Sequence, residues 1–144
     1  MTFLVASFCG WIVDSAYRSV LAGTLVLSGP TYPPFYPSYG FGALLLYLTC
    51  HVVGGRSLGL RFVAYALVTT AWELTAGLVL TALSFRLWDY SENPLNFMGH
   101  VDVEHSFYWV LLGFAFERLV YPWASRQIRG GVPEPTVSSS LEVA

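Results

Sequence analysis

The stretch from Leu60 to Phe85 constrains this chain more than any other. After Arg61 at its edge it carries one charged residue, Glu73, among apolar side chains and a few threonines. A run of that length is what a helix needs to cross about 30 Å of hydrocarbon, where each backbone N–H and C=O must be satisfied within the segment itself. Further apolar runs cover 2–27, 38–54 and 107–123. The expected architecture is therefore all-α: a polytopic bundle of about four transmembrane helices within one domain, 1–124, followed by a disordered cytoplasmic tail at 125–144. Composition agrees, because only 11% of residues are charged, against about a quarter in soluble domains.

The first run reads as a retained helix, since it lacks a basic leading segment and carries Asp14 and Arg18 inside it, unlike a cleaved signal peptide. Between the first two runs, PTYPPFYPSYG packs four prolines among aromatics. That composition excludes regular helix and predicts an ordered turn or hairpin with its rings at the headgroup level. All seven basic residues are Arg, and they form no polybasic segment, which argues against nucleic acid as a partner. Arg56 and Arg61 flank one turn and Arg126 and Arg129 lie in the tail, whereas the loop before the fourth run sets Arg86 against Asp89, Glu92, Asp102 and Glu104. The positive-inside rule then puts both termini in the cytoplasm of a multi-pass protein of the cell (inner) membrane. Cys9 and Cys50 read as small packing residues, not as a disulfide.

Charge inside such helices is the costly feature. A carboxylate at the bilayer centre costs on the order of 2.5 to 3.5 kcal/mol on insertion scales, so Asp14 and Glu73 need partners. Arg18 stands one helical turn after Asp14 and shares its face. Asp14, Arg18 and Glu73 meeting in the bundle core would place two carboxylates beside one guanidinium, a protonatable polar site at the membrane midplane. The plainer reading is that they only join helices through hydrogen bonds, worth roughly 0.6 kcal/mol each in membranes. Thr69, Thr70, Ala76, Gly77 and Thr81 make a stripe of small residues around Glu73, suited to close helix approach.

A polar loop begins at Arg86. Trp88, Asp89, Tyr90 and Ser91 open it, and Pro94, Asn96 and Gly99 are turn residues. His100, Asp102, Glu104 and His105 are metal-capable donors, but they form no HExxH pattern, and an extended segment would turn His105 away from the others. The bland reading is a solvated acidic loop, and neither metal nor other cofactor is expected. His51 reads as a packing residue, while Glu117 and Arg118 are expected to snorkel to the interface beside Tyr121, Pro122 and Trp123.

Taken in order, FCGWIVDSAYRS, GPTYPPFYPSYGFGALL, AWELTAGLVL and LWDYSENPLNFMGHVDVEHSFYW resemble the bacterial CmpB-like family of ABC-transporter permeases. They are also similar to the eukaryotic transmembrane protein 229 family. The resemblance runs from about Phe8 to Trp123, and the WDYS block is its most specific part. It implies importance for Gly10, Trp11, Asp14, Gly29, Pro30, Tyr39, Gly40, Glu73 and Gly77, and for Trp88, Asp89, Tyr90, Ser91, Pro94, Asn96 and Gly99. The chain departs in carrying Asp14 where bacterial members usually have Glu, and in its acidic HVDVEH stretch.

The resemblance implies a transporter permease or permease-like subunit. With no GxxxxGK[ST] motif in this chain, any ATPase would be a separate partner. Expected partners are the lipid bilayer and either further copies in a homo-oligomer or another membrane subunit. Two alternatives stand beside this one. The first is a membrane-embedded enzyme acting on lipid at the non-cytoplasmic interface through Asp89, His100, Asp102, Glu104 and His105. The second is an accessory or assembly subunit of a membrane complex. Transport is favoured over enzyme activity.

Overall fold

Prolines, glycines and one aspartate set the helix boundaries. The computed structural model describes residues 2–28 and 34–130. These form α1 (Thr2–Ala22), α2 (Pro37–Val53), α3 (Leu58–Ala82), α4 (Val103–Leu119) and α5 (Tyr121–Gly130), with no strand among the described residues. Pro37 occupies the first turn of α2, where its missing N–H costs no intrahelical bond. Gly54 returns its N–H to the Cys50 carbonyl, and Gly55, at φ 78°, turns the chain toward α3.

Several boundaries differ from expectation. α1 stops at Ala22 and not near Leu27, because Gly23 takes φ 64° and ends the helix. The chain then runs back along α1. Ser19 Oγ accepts from the Val26 N–H at 2.9 Å, Ser15 Oγ accepts from the Ser28 N–H at 2.9 Å, and Trp11 Nε1 donates to the Ser28 carbonyl at 2.7 Å. α3 ends at Ala82, ahead of Ser84 at φ 65°. α4 begins at Val103, four residues before Phe107, since Asp102 caps it. α5 carries helix past Ser125, where the tail was expected to be disordered, and Pro122 is tolerated because it lies in the first turn. Residues 131–144 lie outside the described residues, as do Gly29 and Pro30.

Helices α1 and α2, α2 and α3, α3 and α4, and α2 and α4 pack together. Ala43, Leu46 and Cys50 of α2, Tyr65 of α3, and Val110 and Phe116 of α4 form the core. Close approach uses missing side chains: a Cβ on Gly10 would overlap the Tyr39 ring, and one on Gly113 would sit 3.0 Å from Tyr65 Cγ. The exterior is apolar, with Leu4, Leu48, Val63, Leu67, Leu111 and Leu119 all exposed. Of the described helices only α3 is both long and apolar enough to cross a membrane; α2 is apolar but shorter.

Part of the proline-aromatic segment, 30–33, lies outside the described residues, but Tyr36 turns inward and not to the interface. Tyr36 is buried and its N–H donates to the Ser7 carbonyl at 3.2 Å. The expected snorkelling of Glu117 is also overturned. Glu117 receives Arg61 Nη1 at 2.6 Å and the Tyr65 hydroxyl at 2.8 Å, so it ties α4 to α3.

Candidate functional site

Asp14 and Arg18, four residues apart on α1, pair at 2.8 Å (Nε to Oδ2). The same Asp14 oxygen also accepts the Ser28 hydroxyl. Arg18 extends its other arm, Nη2, to the Leu87 carbonyl at 3.0 Å, which ties α1 to the start of the polar loop. The guanidinium is thus committed to Asp14 and Leu87, and Glu73 finds its partner elsewhere.

Glu73 is 5% exposed. Its Oε1 accepts the Tyr90 hydroxyl at 3.0 Å. Its Oε2 is buried without a hydrogen bond of ordinary geometry, the Trp109 indole being the neighbouring donor. A buried carboxylate oxygen left this way is costly.

Tyr90 reaches Glu73 because the loop motif builds a rigid frame. Asp89 accepts from Arg86 Nη2 at 2.7 Å and from the Ser91 N–H at 2.9 Å, and it also takes the Ser91 hydroxyl. Those Ser91 bonds, with Arg86 adding to them, hold the Asp89 carboxyl below its ordinary range. Asn96 Nδ2 donates to the Asn93 carbonyl at 2.8 Å, and its Oδ1 accepts the Gly99 N–H at 3.1 Å. Gly99 lies at φ 70°, and a Cβ there would stand 2.6 Å from Ser91 Oγ. Across the frame the Tyr90 N–H donates to the Gly99 carbonyl at 2.9 Å, and Trp88 Nε1 donates to the His100 carbonyl at 2.9 Å. Pro94 lies in the turn between Asn93 and Asn96. Burial, and then the Glu73 carboxylate, raise the Tyr90 phenol, so it stays a donor.

The acidic stretch is not a solvated loop. Asp102 is 3% exposed and accepts from the His105 N–H at 2.7 Å and from Asn93 Nδ2 at 2.6 Å, while His105 Nδ1 lies 2.8 Å from its second oxygen. Burial pushes this carboxyl up, but these donors outweigh it and leave it below the usual range. His105 stacks on Tyr90, with ring centres 4.1 Å apart, and its Nε2 lies 3.2 Å from the Tyr17 hydroxyl. His100 instead packs against Gly77, and Glu104 accepts from Tyr108 at 2.7 Å. Of the four donors only Asp102 and His105 come together, while His100 and Glu104 point elsewhere. Among the described residues no group of three or more His, Cys, Asp and Glu converges as a metal site would require.

One cavity of about 310 Å³ gathers Asp14, Arg18 and Glu73 with Trp88, Asp89, Tyr90 and His105. Tyr39, Trp72 and Trp109 also line it, and nothing in the local sequence marks them as cavity residues beyond a faint signal for Trp109, which follows His105 at the spacing that shares a helix face. A cavity of this size and lining has room for a small polar solute.

A family model described as "Putative ABC-transporter type IV" matches residues 1–140, and the chain belongs to that family of transporter-related membrane proteins. No solved structure matches the chain.

Proposed function

We propose that this member of the ABC-transporter type IV family is a four-span, permease-like subunit whose polar cavity holds a solute part-way across the cell membrane. The observation that carries the reading is Glu73. It is a carboxylate at the centre of the most membrane-compatible helix, 5% exposed, lining a cavity with the Tyr90 hydroxyl and the Trp109 indole as its donors and no cationic partner among the described residues. The apolar exterior of α1, α2 and α4 supports spans for them as well. Arg56, Arg61 and Arg126 favour cytoplasmic termini. Four helices enclose little lumen, so a second copy or another membrane subunit completes the path, and ATP hydrolysis belongs to a separate chain.

The test is solid-supported-membrane current from the reconstituted protein, with and without co-purified subunits, on concentration jumps across a panel of small solutes. Wild type gives a saturable current, and Glu73→Gln inserts normally but loses it. An inserted Glu73→Gln protein with undiminished current would sink the proposal.

A second reading rests on Asp102 and His105. A carboxylate on Nδ1 that leaves Nε2 directed at Tyr17 beside the cavity is a general-base arrangement, suited to an enzyme acting on lipid at the membrane surface. It requires that His105→Gln abolish turnover of a lipid substrate.

A further inference from the structure

The polar cavity has a neighbour. A second cavity of about 360 Å³ lies against it, the two sharing Ser38, Tyr39, Trp72 and Trp109 as lining residues. The second cavity draws on α1 through α4, with Cys9, Leu46, Val68 and Phe116 among its walls. Its walls are almost wholly apolar, and two of its polar groups are spent: the Thr69 hydroxyl donates to the Tyr65 carbonyl at 2.8 Å, and the Ser38 carbonyl takes Trp72 Nε1 at 3.0 Å. It exists because α1 packs on α2 without packing closely on α4, which leaves a slot between them. An apolar cavity of about 150 Å³ holds a six-carbon ring, so one of this size accommodates roughly a dozen carbons.

The head end has its own chemistry. Arg18 is committed to Asp14 and to Leu87, so it offers little to an incoming anion, which would also meet Asp14, Glu73 and Asp89. An incoming cation instead meets a cavity lined by three carboxylates, Asp14, Glu73 and Asp89, of which Glu73 has no cationic partner among the described residues. It also meets aromatic walls, for Tyr39 lies 5.4 Å from Trp109, centre to centre, and Trp72, Trp88 and Tyr90 line the same cavity. Desolvated aromatic faces beside a carboxylate are how quaternary ammonium groups are recognised.

We propose that the two cavities form one site for a single-chain cationic amphiphile, its ammonium group against Glu73 and the aromatic walls and its alkyl chain in the slot between α1 and α4. This rests on reading the polar cavity as a solute site and names the class of solute.

The test is binding to the full chain in neutral lipid nanodiscs, followed by tryptophan fluorescence and corrected against empty discs. Dodecyltrimethylammonium should bind saturably and at least about tenfold more tightly than dodecyl sulfate or dodecyl maltoside, and Glu73→Gln should erase that preference. Cys9→Trp, which fills the apolar cavity from an exposed position, should weaken the dodecyl compound about tenfold and leave tetramethylammonium unchanged. Equal binding of the sulfate, or full preference in a folded Glu73→Gln protein, overturns the inference. Selective binding without any solute current leaves it standing and overturns transport, whereas current for another solute with no cationic preference overturns this inference alone.

Discussion

Replacing Asp102 by Ala should loosen the whole loop from Trp88 to Val101 and not merely the first turn of α4. Asp102 does two jobs with two oxygens: it caps α4 through the His105 N–H and it anchors the loop through Asn93 Nδ2. Loss of an N-cap costs about 1 kcal/mol. The abandoned, partly buried Asn93 amide adds about 1 to 3 kcal/mol. A combined loss of about 2 to 4 kcal/mol corresponds to loop opening that is about 30-fold to nearly 1000-fold more frequent. Amide hydrogen exchange in nanodiscs reads this directly, because the Tyr90 N–H is held by the Gly99 carbonyl and the Phe97 N–H by the Val101 carbonyl, at 2.9 and 2.8 Å. Both amides should exchange faster by that factor, while amides in the middle of α3 keep their protection. Asp102→Asn, which retains a good cap and one acceptor oxygen, should raise exchange about tenfold or less. If Asp102→Ala accelerates the Tyr90 and Phe97 amides by less than about threefold, the carboxylate does not hold the frame and the reasoning fails.

Other perturbations probe other joints. In Gly77→Ala the new Cβ falls 2.8 Å from His100 Nδ1; overpacking of about 1 to 3 kcal/mol offsets a helix-propensity gain of about 1 kcal/mol. Its melting temperature should fall and its tryptophan emission shift to the red as Trp88 leaves the His100 carbonyl; an unchanged melt and spectrum would show that His100 simply turns aside. Arg61→Leu leaves Glu117 with only the Tyr65 hydroxyl and should cost about 3 kcal/mol in denaturant titration, part of it recovered in Arg61→Leu with Glu117→Leu, which in turn costs Tyr65 its carboxylate acceptor; a double variant no better than the single would count against a buried pair. Asp89 and Asp102 both have lowered folded pKa values, so their contribution is complete above the ordinary carboxylate value and is lost as pH falls through the lowered ones. The loop should stay closed down to the ordinary aspartate value of about 3.9 and open only below it, followed by Trp88 fluorescence; a transition near pH 6 would point to a different group.

The amino-acid sequence by itself determined what depends on local order along the chain. The Leu60–Phe85 run specifies α3, the motif blocks specify the family, and the spacing of Asp14 and Arg18 specifies their ion pair, because residues four apart on a helix must meet. Even Gly23 and Asp102, which end α1 early and start α4 early, were legible in principle as a glycine stop and an aspartate cap. Tertiary structure decided the pairings that depend on how helices rotate and slide against one another. It sent Arg18 to Leu87 and not to Glu73, gave Glu73 the Tyr90 hydroxyl, and joined Glu117 to Arg61 across two helices. Each of these partners lies 17 to 69 residues away. Periodicity defines a face but carries no information on which distant face it meets. That choice is made by packing, through absent side chains at Gly10, Gly77 and Gly113, and the same packing leaves the polar cavity open around Glu73.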